Sequence, residues 1–318
     1  MTRLVLILTV LLALAVPLSL LAGRVWLDPL TPLDSGPNAA LIVLDLRLPR
    51  AVLALVIGAG LGVSGAAMQG YLRNPLADPG LFGVAPGAAL GAVLALWLGL
   101  DGLLPWAALA GGAGAMALLA LVAGGRGSLA LFTLAGMMIA SLAGALTSLV
   151  ISLAPNAFAT SAIVTWLMGA LTDRSWAEVQ VAAPLCLAGV AVLLATARGL
   201  DALTLGEEAA RSLGLNPVRL RWLMIVGTGL AVGGGVTVAG IIGFVGLVVP
   251  HLLRPWTDGR PSQLLLPSAL AGALVLLLAD MACRVLPLVT ELRLGIALSL
   301  LGAPFFLHLL LKLRREVA

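Results

Sequence analysis

The stretch LPRAVLALVIGAGLGVSGAAMQG, residues 48–70, decides the fold. After Arg50 no charge appears until Arg73, which is long enough for the roughly 20 apolar residues that a membrane-crossing helix needs. Its glycines sit inside the apolar run, where small residues let transmembrane helices approach closely. The same pattern recurs along the chain. Of 318 residues, 61% are hydrophobic and 10% charged, far from the balance of an ordinary soluble enzyme. About ten such helices would use roughly 200 residues. The net charge of +4 comes without a basic run, so nucleic acid is not an expected partner. Cys186 and Cys283 lie in separate apolar runs and read as small hydrophobes, with neither disulfide nor metal implied.

Apolar runs between breakers predict helices near 4–22, 48–70, 86–100, 104–123, 129–153, 178–197, 222–240, 241–254, 264–284 and 295–312. The run at 4–22 exceeds a signal-peptide core and reads as a retained helix. The boundary at 240/241 falls in a Gly-rich stretch, Gly233 to Gly246, that also reads as one bent helix. Ten spans put both termini on one side. With that side cytoplasmic, 12 of the 18 basic residues face inward, among them Arg73, Arg126, Arg254 and Lys312. The charges are then expected on the two membrane faces. An internal repeat accompanies the spans: Arg50, Gly58, Gly60, Leu61, Val63 and Gly65 recur 169 positions later as Arg219, Gly227, Gly229, Leu230, Val232 and Gly234. An offset of five helices inverts the second half, as in transporter folds.

Absences narrow the chemistry. Lys312 is the only lysine and follows no glycine loop, so the chain is not a P-loop ATPase. His251 and His308 form no HExxH pattern, and GVSG at 62–65 is not a nucleophile elbow. No span carries a central cluster of charges, each of which would cost about 2.5–3.5 kcal/mol. Ion-coupled carriers usually accept that cost, so the energy for any transport is expected from elsewhere.

Three polar islands remain. In Arg198 to Arg221, the segment LGEEAARSLG (205–214) reads as a short helix with a Glu207–Arg211 pair and Gly214 as its C-cap. It is either a solvated connector or a docking knob. In Arg73 to Gly80, Pro75 and Pro79 break the helix, giving either a tight turn or a gate. At the opposite face, Arg47 and Arg50 flank Pro49 and Arg284 closes the ninth span. These arginines suit membrane anchoring or pairing with carboxylates of a docking protein. The connector Pro155 to Trp176 suits a short interfacial helix anchored by Trp166 and Trp176.

RLPR (47–50), GAAMQGYLRNPLADPGLFGV (65–84), LGEEAARSLGLNP (205–217), GFVGLVVPHLLR (243–254), LLLADMACR (276–284) and LGAPFFLHLLLK (301–312) together resemble the FecCD-type permeases. These are transmembrane subunits of bacterial type II ABC importers for iron-siderophores, haem and cobalamin. The resemblance runs from about residue 40 to the C-terminus. It implies an all-α, polytopic, single permease domain over 1–318 with about ten transmembrane helices, without catalytic residues, cofactor or metal. It further implies a homodimer in the lipid of the bacterial inner membrane, with two ABC ATPase subunits below and one periplasmic binding protein above. Gly206, Glu207, Glu208, Arg211, Leu213 and Gly214 match the ATPase-coupling helices within 198–221. Arg47, Arg50 and Arg284 match arginines that pair with the binding protein, and Asn74 and Leu76 match a cytoplasmic gate. Ser141, Thr147 and Ser148, in the fifth span, either line the path or only pack helices. The segment WLMGALTDRSW (166–176) carries Asp173 and Arg174 where the family varies, so cargo identity does not follow from it. The expected function is import of an iron chelate or cobalamin, with affinity residing mainly in the binding protein. The alternative is an ion-coupled secondary transporter with inverted repeats.

Overall fold

The computed structural model describes residues 2–34, 36, 38–124 and 128–317, with side chains there except those of Thr2, Leu81, Leu310 and residues 312–317. Arg126, counted above with the inward-facing cations, lies outside the described residues. Of Lys312, Arg314 and Arg315 only the backbone is described. Among the described residues all regular structure is helical. The order is α1 (Thr2–Leu21), α2 (Ala39–Leu41) running through a π turn at Ile42–Arg47 into α3 (Leu48–Leu72), α4 (Val84–Trp97), α5 (Leu104–Ala123) and α6 (Leu129–Ser152). Then follow α7 (Ala157–Leu167), α8 (Trp176–Ala195), α9 (Ala197–Leu203), α10 (Glu207–Ser212), α11 (Pro217–Ala239), α12 (Val245–Leu253), α13 (Pro261–Val285) and α14 (Leu294–Val317).

Local chemistry starts these helices where their caps stand. Asn216 accepts the Arg219 N–H at 3.0 Å ahead of Pro217, which opens α11. Ser175 and Glu178 form a reciprocal capping box at α8. Asn156 caps α7 by accepting the Ala159 N–H at 2.9 Å. Among the described residues seven helices are long and apolar enough to cross a membrane, and the chain is a multi-pass membrane protein. The expected run 86–100 is met by α4 with 14 residues, whereas 241–254 is shorter than foreseen: α12 has 9 residues, a rise of about 14 Å against a hydrocarbon core of about 30 Å. Nor is Gly233 to Gly246 one bent helix. Helix α11 ends at Ala239, Gly240 turns at φ 70°, and Phe244 stands at φ 66° before α12 begins. The connector after Pro155 does hold the short helix foreseen there, α7.

Helices α3 and α11, which carry the repeated residues, are the two most buried spans and pack against each other at the centre. Helix α13 lies along α3, and glycine makes that approach possible. A methyl group on Gly58 would overlap the Gly272 carbonyl, and one on Gly62 would overlap the Ser268 carbonyl. Backbones at this distance gain dispersion contacts over a long seam, the main source of helix association where both helix and lipid are apolar. Gly62→Val should therefore destabilise by about 1–3 kcal/mol through overpacking. Gly114→Val is the control, because nothing lies near a side chain there. Equal melting temperatures of the two variants in detergent would refute this packing.

Candidate functional site

Two polar ends flank the apolar bundle. At one end the helix α10 stands out as a knob. Gly206 enters it at φ 98° and Gly214 leaves it at φ 85°, both in the left-handed region that glycine adopts at little cost. Arg211 donates to Glu207 at 2.8 Å, with both side chains substantially exposed. Such a pair contributes little to stability, so its residues are not there to hold the fold. Glu208 is exposed, and Leu213, 67% exposed, is presented at the tip. The knob is anchored from behind. Ala210 is fully buried, and Asp201 on α9 accepts from the N–H of Ser262 at 2.9 Å and its hydroxyl at 2.6 Å. Asp201 thereby ties the knob's base to the first turn of α13.

Beside it, Arg73 ends α3 at φ 51° and the chain turns. Asn74 accepts the Leu76 N–H at 2.9 Å, and Asp78 accepts the Gly80 N–H at 2.7 Å. Burial pushes the Asp78 carboxyl above its ordinary range, and the Gly80 N–H partly counters this. The Arg73–Gly80 island is thus an ordered, hydrogen-bonded turn. Gln69 donates to the Leu247 carbonyl at 3.2 Å and accepts from Arg254 at 2.9 Å, fastening α12 to α3. The sequence reading did not single out this contact, because a lone glutamine carries no spacing signal.

The opposite end holds the largest surprise. The three arginines expected to face outward are buried. Asp280, with no solvent exposure, sits between Arg50 (Nε at 2.8 Å) and Arg284 (Nε at 3.2 Å), and Arg50 also reaches Glu291 at 2.9 Å. Arg284 donates to Ser19 on α1 at 2.7 Å. Arg47 donates to the carbonyls of Leu20, Leu21 and Val25. Arg50, Asp280 and Arg284 are thus buried within the protein at this polar end. They are not sealed, however. A recess of about 260 Å³ is bordered by Arg24, Arg47, Arg50, Arg174 and Arg284 against Asp173 and Glu291.

The proposed path residues separate. Ser141 and Ser148 are exposed on α6, whereas Thr147 is buried and donates to the Ala143 carbonyl at 2.8 Å. A seven-residue spacing keeps the two serines on one helix face, and Thr147 falls about 100° away. Cys186 and Cys283 are buried in the interior. Among the described residues no three His, Cys, Asp or Glu side chains converge as metal ligands.

Residues 10–312 match the family model described as the FecCD transport family. The chain is similar to the vitamin B12 import system permease protein BtuC of Escherichia coli O9:H4 (strain HS). The two are 40% identical over 327 aligned positions, covering 98% of this chain and 96% of that protein. It is 39% identical to YvrB of Bacillus subtilis (strain 168), an uncharacterised ABC transporter permease, over 89% of this chain and 82% of that one. Among solved structures, a metal-chelate type ABC transporter in an inward-facing conformation matches with a TM-score of 0.90. The identity there is 34%, covering 98% of this chain and 100% of that one.

The Asp280 cluster makes a stability prediction. Asp280→Ala leaves Arg50 and Arg284 without their shared counter-ion and should cost about 3–5 kcal/mol. Glu291→Gln, at a partly exposed site, should cost well under half of that. If thermal or denaturant melts rank the two the other way, Asp280 is not the keystone of this end.

Proposed function

The chain belongs to the FecCD transport family and is the non-catalytic, membrane-spanning permease subunit of an ABC importer for a metal chelate or cobalamin; from that premise we propose how its two ends divide the work. An ion-coupled carrier is set aside by that membership. In our reading the protein is a homodimer in the bacterial inner membrane with both termini in the cytoplasm. Two ATPase subunits sit beneath it and a periplasmic binding protein sits above. Cargo passes between the two copies, along the face of α6 that carries Ser141 and Ser148.

The observation that carries the division is the contrast between the two ends. At the cytoplasmic end, α10 offers exposed Glu207, Glu208, Arg211 and Leu213 between Gly206 and Gly214. Such side chains are free to seat in a cleft of the ATPase. Closure of the ATPase dimer would push the knob, and the Asp201–Ser262 tether would pass that push to α13. Asn74 and Leu76, on the neighbouring turn, would then open or close the exit. At the outer end, the five-arginine recess containing Arg47, Arg50 and Arg284 has an excess of positive charge. It suits a carboxylate carried by the binding protein, since Arg guanidinium recognises carboxylate well. The apolar path between the ends offers a bulky chelate no strong hold, which favours release.

Glu207→Ala combined with Arg211→Ala tests the knob. The exposed pair adds less than about 1 kcal/mol, so the melting temperature should hardly move. ATP hydrolysis should continue while uptake into proteoliposomes falls at least about tenfold. Uptake at the normal rate would sink the coupling role. For the outer recess, the affinity of the binding protein for the reconstituted permease should fall as salt rises from about 50 to 500 mM, because rim charges are screened. Salt-independent docking would argue against the arginine recess as its seat.

A further inference from the structure

Beside the docking recess lies a second, larger one, of about 430 Å³, formed where α7 and its following turn meet the start of α14. Arg174 borders both. The second recess is unusual in its hydrogen-bonding inventory. Its charged lining consists of Arg174 and Arg293, with no carboxylate. Its uncharged polar lining includes Ser161, Thr165 and Trp166. Neither guanidinium makes a hydrogen bond or ion pair with any described residue. The buried Nε–H of Arg174 and the buried indole Nε1–H of Trp166 both lack acceptors. Buried donors of this kind normally find a partner, and leaving them without one is costly. The acidic neighbours do not supply it. Glu178 accepts from the N–H and hydroxyl of Ser175 in the α8 cap. Asp173 is exposed and, like Glu178, acts on Arg174 only through space. Two like charges beside each other, with orphaned donors around them, form a cradle suited to an anion.

We infer that this recess binds a carboxylate of the cargo, and that the cargo is an anionic, carboxylate-bearing metal chelate rather than a cobalamin. The inference rests on the transport reading above and narrows it. A cleft of this size takes one arm of a chelate and not the whole of it. Two guanidiniums and two or more neutral donors then meet the oxygens of that arm. The recess lies at the outer mouth of the proposed path, where a weak anionic hold would orient the chelate as the binding protein releases it. The sequence pointed to the place, since Arg174 falls in the segment 166–176. It could not show that Arg293, 119 positions later, stands beside it.

The test uses the permease alone in nanodiscs, with empty nanodiscs as blank. Haem, haem dimethyl ester, ferric citrate and cyanocobalamin are titrated by equilibrium dialysis. At least one carboxylate probe should bind. If haem is that probe, its ester should bind about tenfold or more weakly, because the ester keeps the ring and metal but loses the charge. Arg174→Ala with Arg293→Ala should weaken the carboxylate probe by about tenfold or more at an unchanged melting temperature, and Arg174→Lys should be intermediate. Three results would overturn the inference: no carboxylate probe binds, acid and ester bind alike, or the double variant binds as the parent does. Failure of the transport reading looks different. ATP-driven uptake by the complete assembly would then be missing even though the isolated permease binds carboxylates. Cobalamin uptake without carboxylate binding would instead leave that reading standing and remove this one.

Discussion

A single carboxylate, Asp280, holds one end of this molecule together. A charge in the interior of a membrane protein is costly unless it is paired, and Asp280 is paired twice, with Arg50 from α3 and with Arg284 one turn along α13. The consequences spread outward from that triad. Arg50 reaches on to Glu291 in the turn before α14, and Arg284 reaches Ser19 on α1. Helix α1 is among the least buried of the spans, and Arg47 adds bonds to the carbonyls of Leu20 and Leu21 at its C-terminal end and of Val25 just beyond it. Four separated pieces of chain are thus fixed to one another by a few guanidinium contacts. Because every partner is a charged group, a hydroxyl or a backbone carbonyl, removal of one member strands the others.

Helix α13 carries this end to the other. Asp280 lies 18 residues beyond Ser262 on the same helix, a rise of about 27 Å. Between them α13 is locked against α3 by backbone contact at Gly58, Gly62 and Gly272. A close-packed seam of this kind moves as a body and not by local yielding. Displacement of the Asp201–Ser262 tether therefore reaches the arginine cluster through one stiff element. In the proposed reading this links the knob at one end of the bundle to the recess at the other without any polar residue having to cross the middle of the bilayer.

The sequence and the structure agree most closely where the information is local. The knob at Gly206–Gly214 was readable because a Glu–Arg pair four apart and two flanking glycines are all short-range signals. The structure returns each of them. The short helix after Pro155 and the starts of α5 and α6 are similar cases, set by asparagine, proline and serine; α11 instead begins at Pro217, five residues ahead of the expected 222. The eighth apolar run, 241–254, yields only a short helix because apolarity alone does not distinguish a spanning helix from half of one. The stop at Gly240 and the positive φ at Phe244 depend on the chain packed around them. The burial of Arg47, Arg50 and Arg284 is the opposite case. Snorkelling is the default for an arginine near the end of a span, and only a partner 230 positions away draws Arg50 inward. The resemblance names Ser141, Thr147 and Ser148 together, whereas helix geometry separates Thr147 from the other two.

By itself the sequence determined the solvent, the fold class and the family. Those follow from the near-absence of charge over runs of about 20 residues and from ordered local motifs, both properties of neighbouring residues. The tertiary structure alone decided which charges are interior, which arginines share a counter-ion, and which remain without one. These are matters of contact between residues more than a hundred positions apart. Electrostatic pairing acts over a few ångströms of space, so its outcome is settled only when the helices have packed.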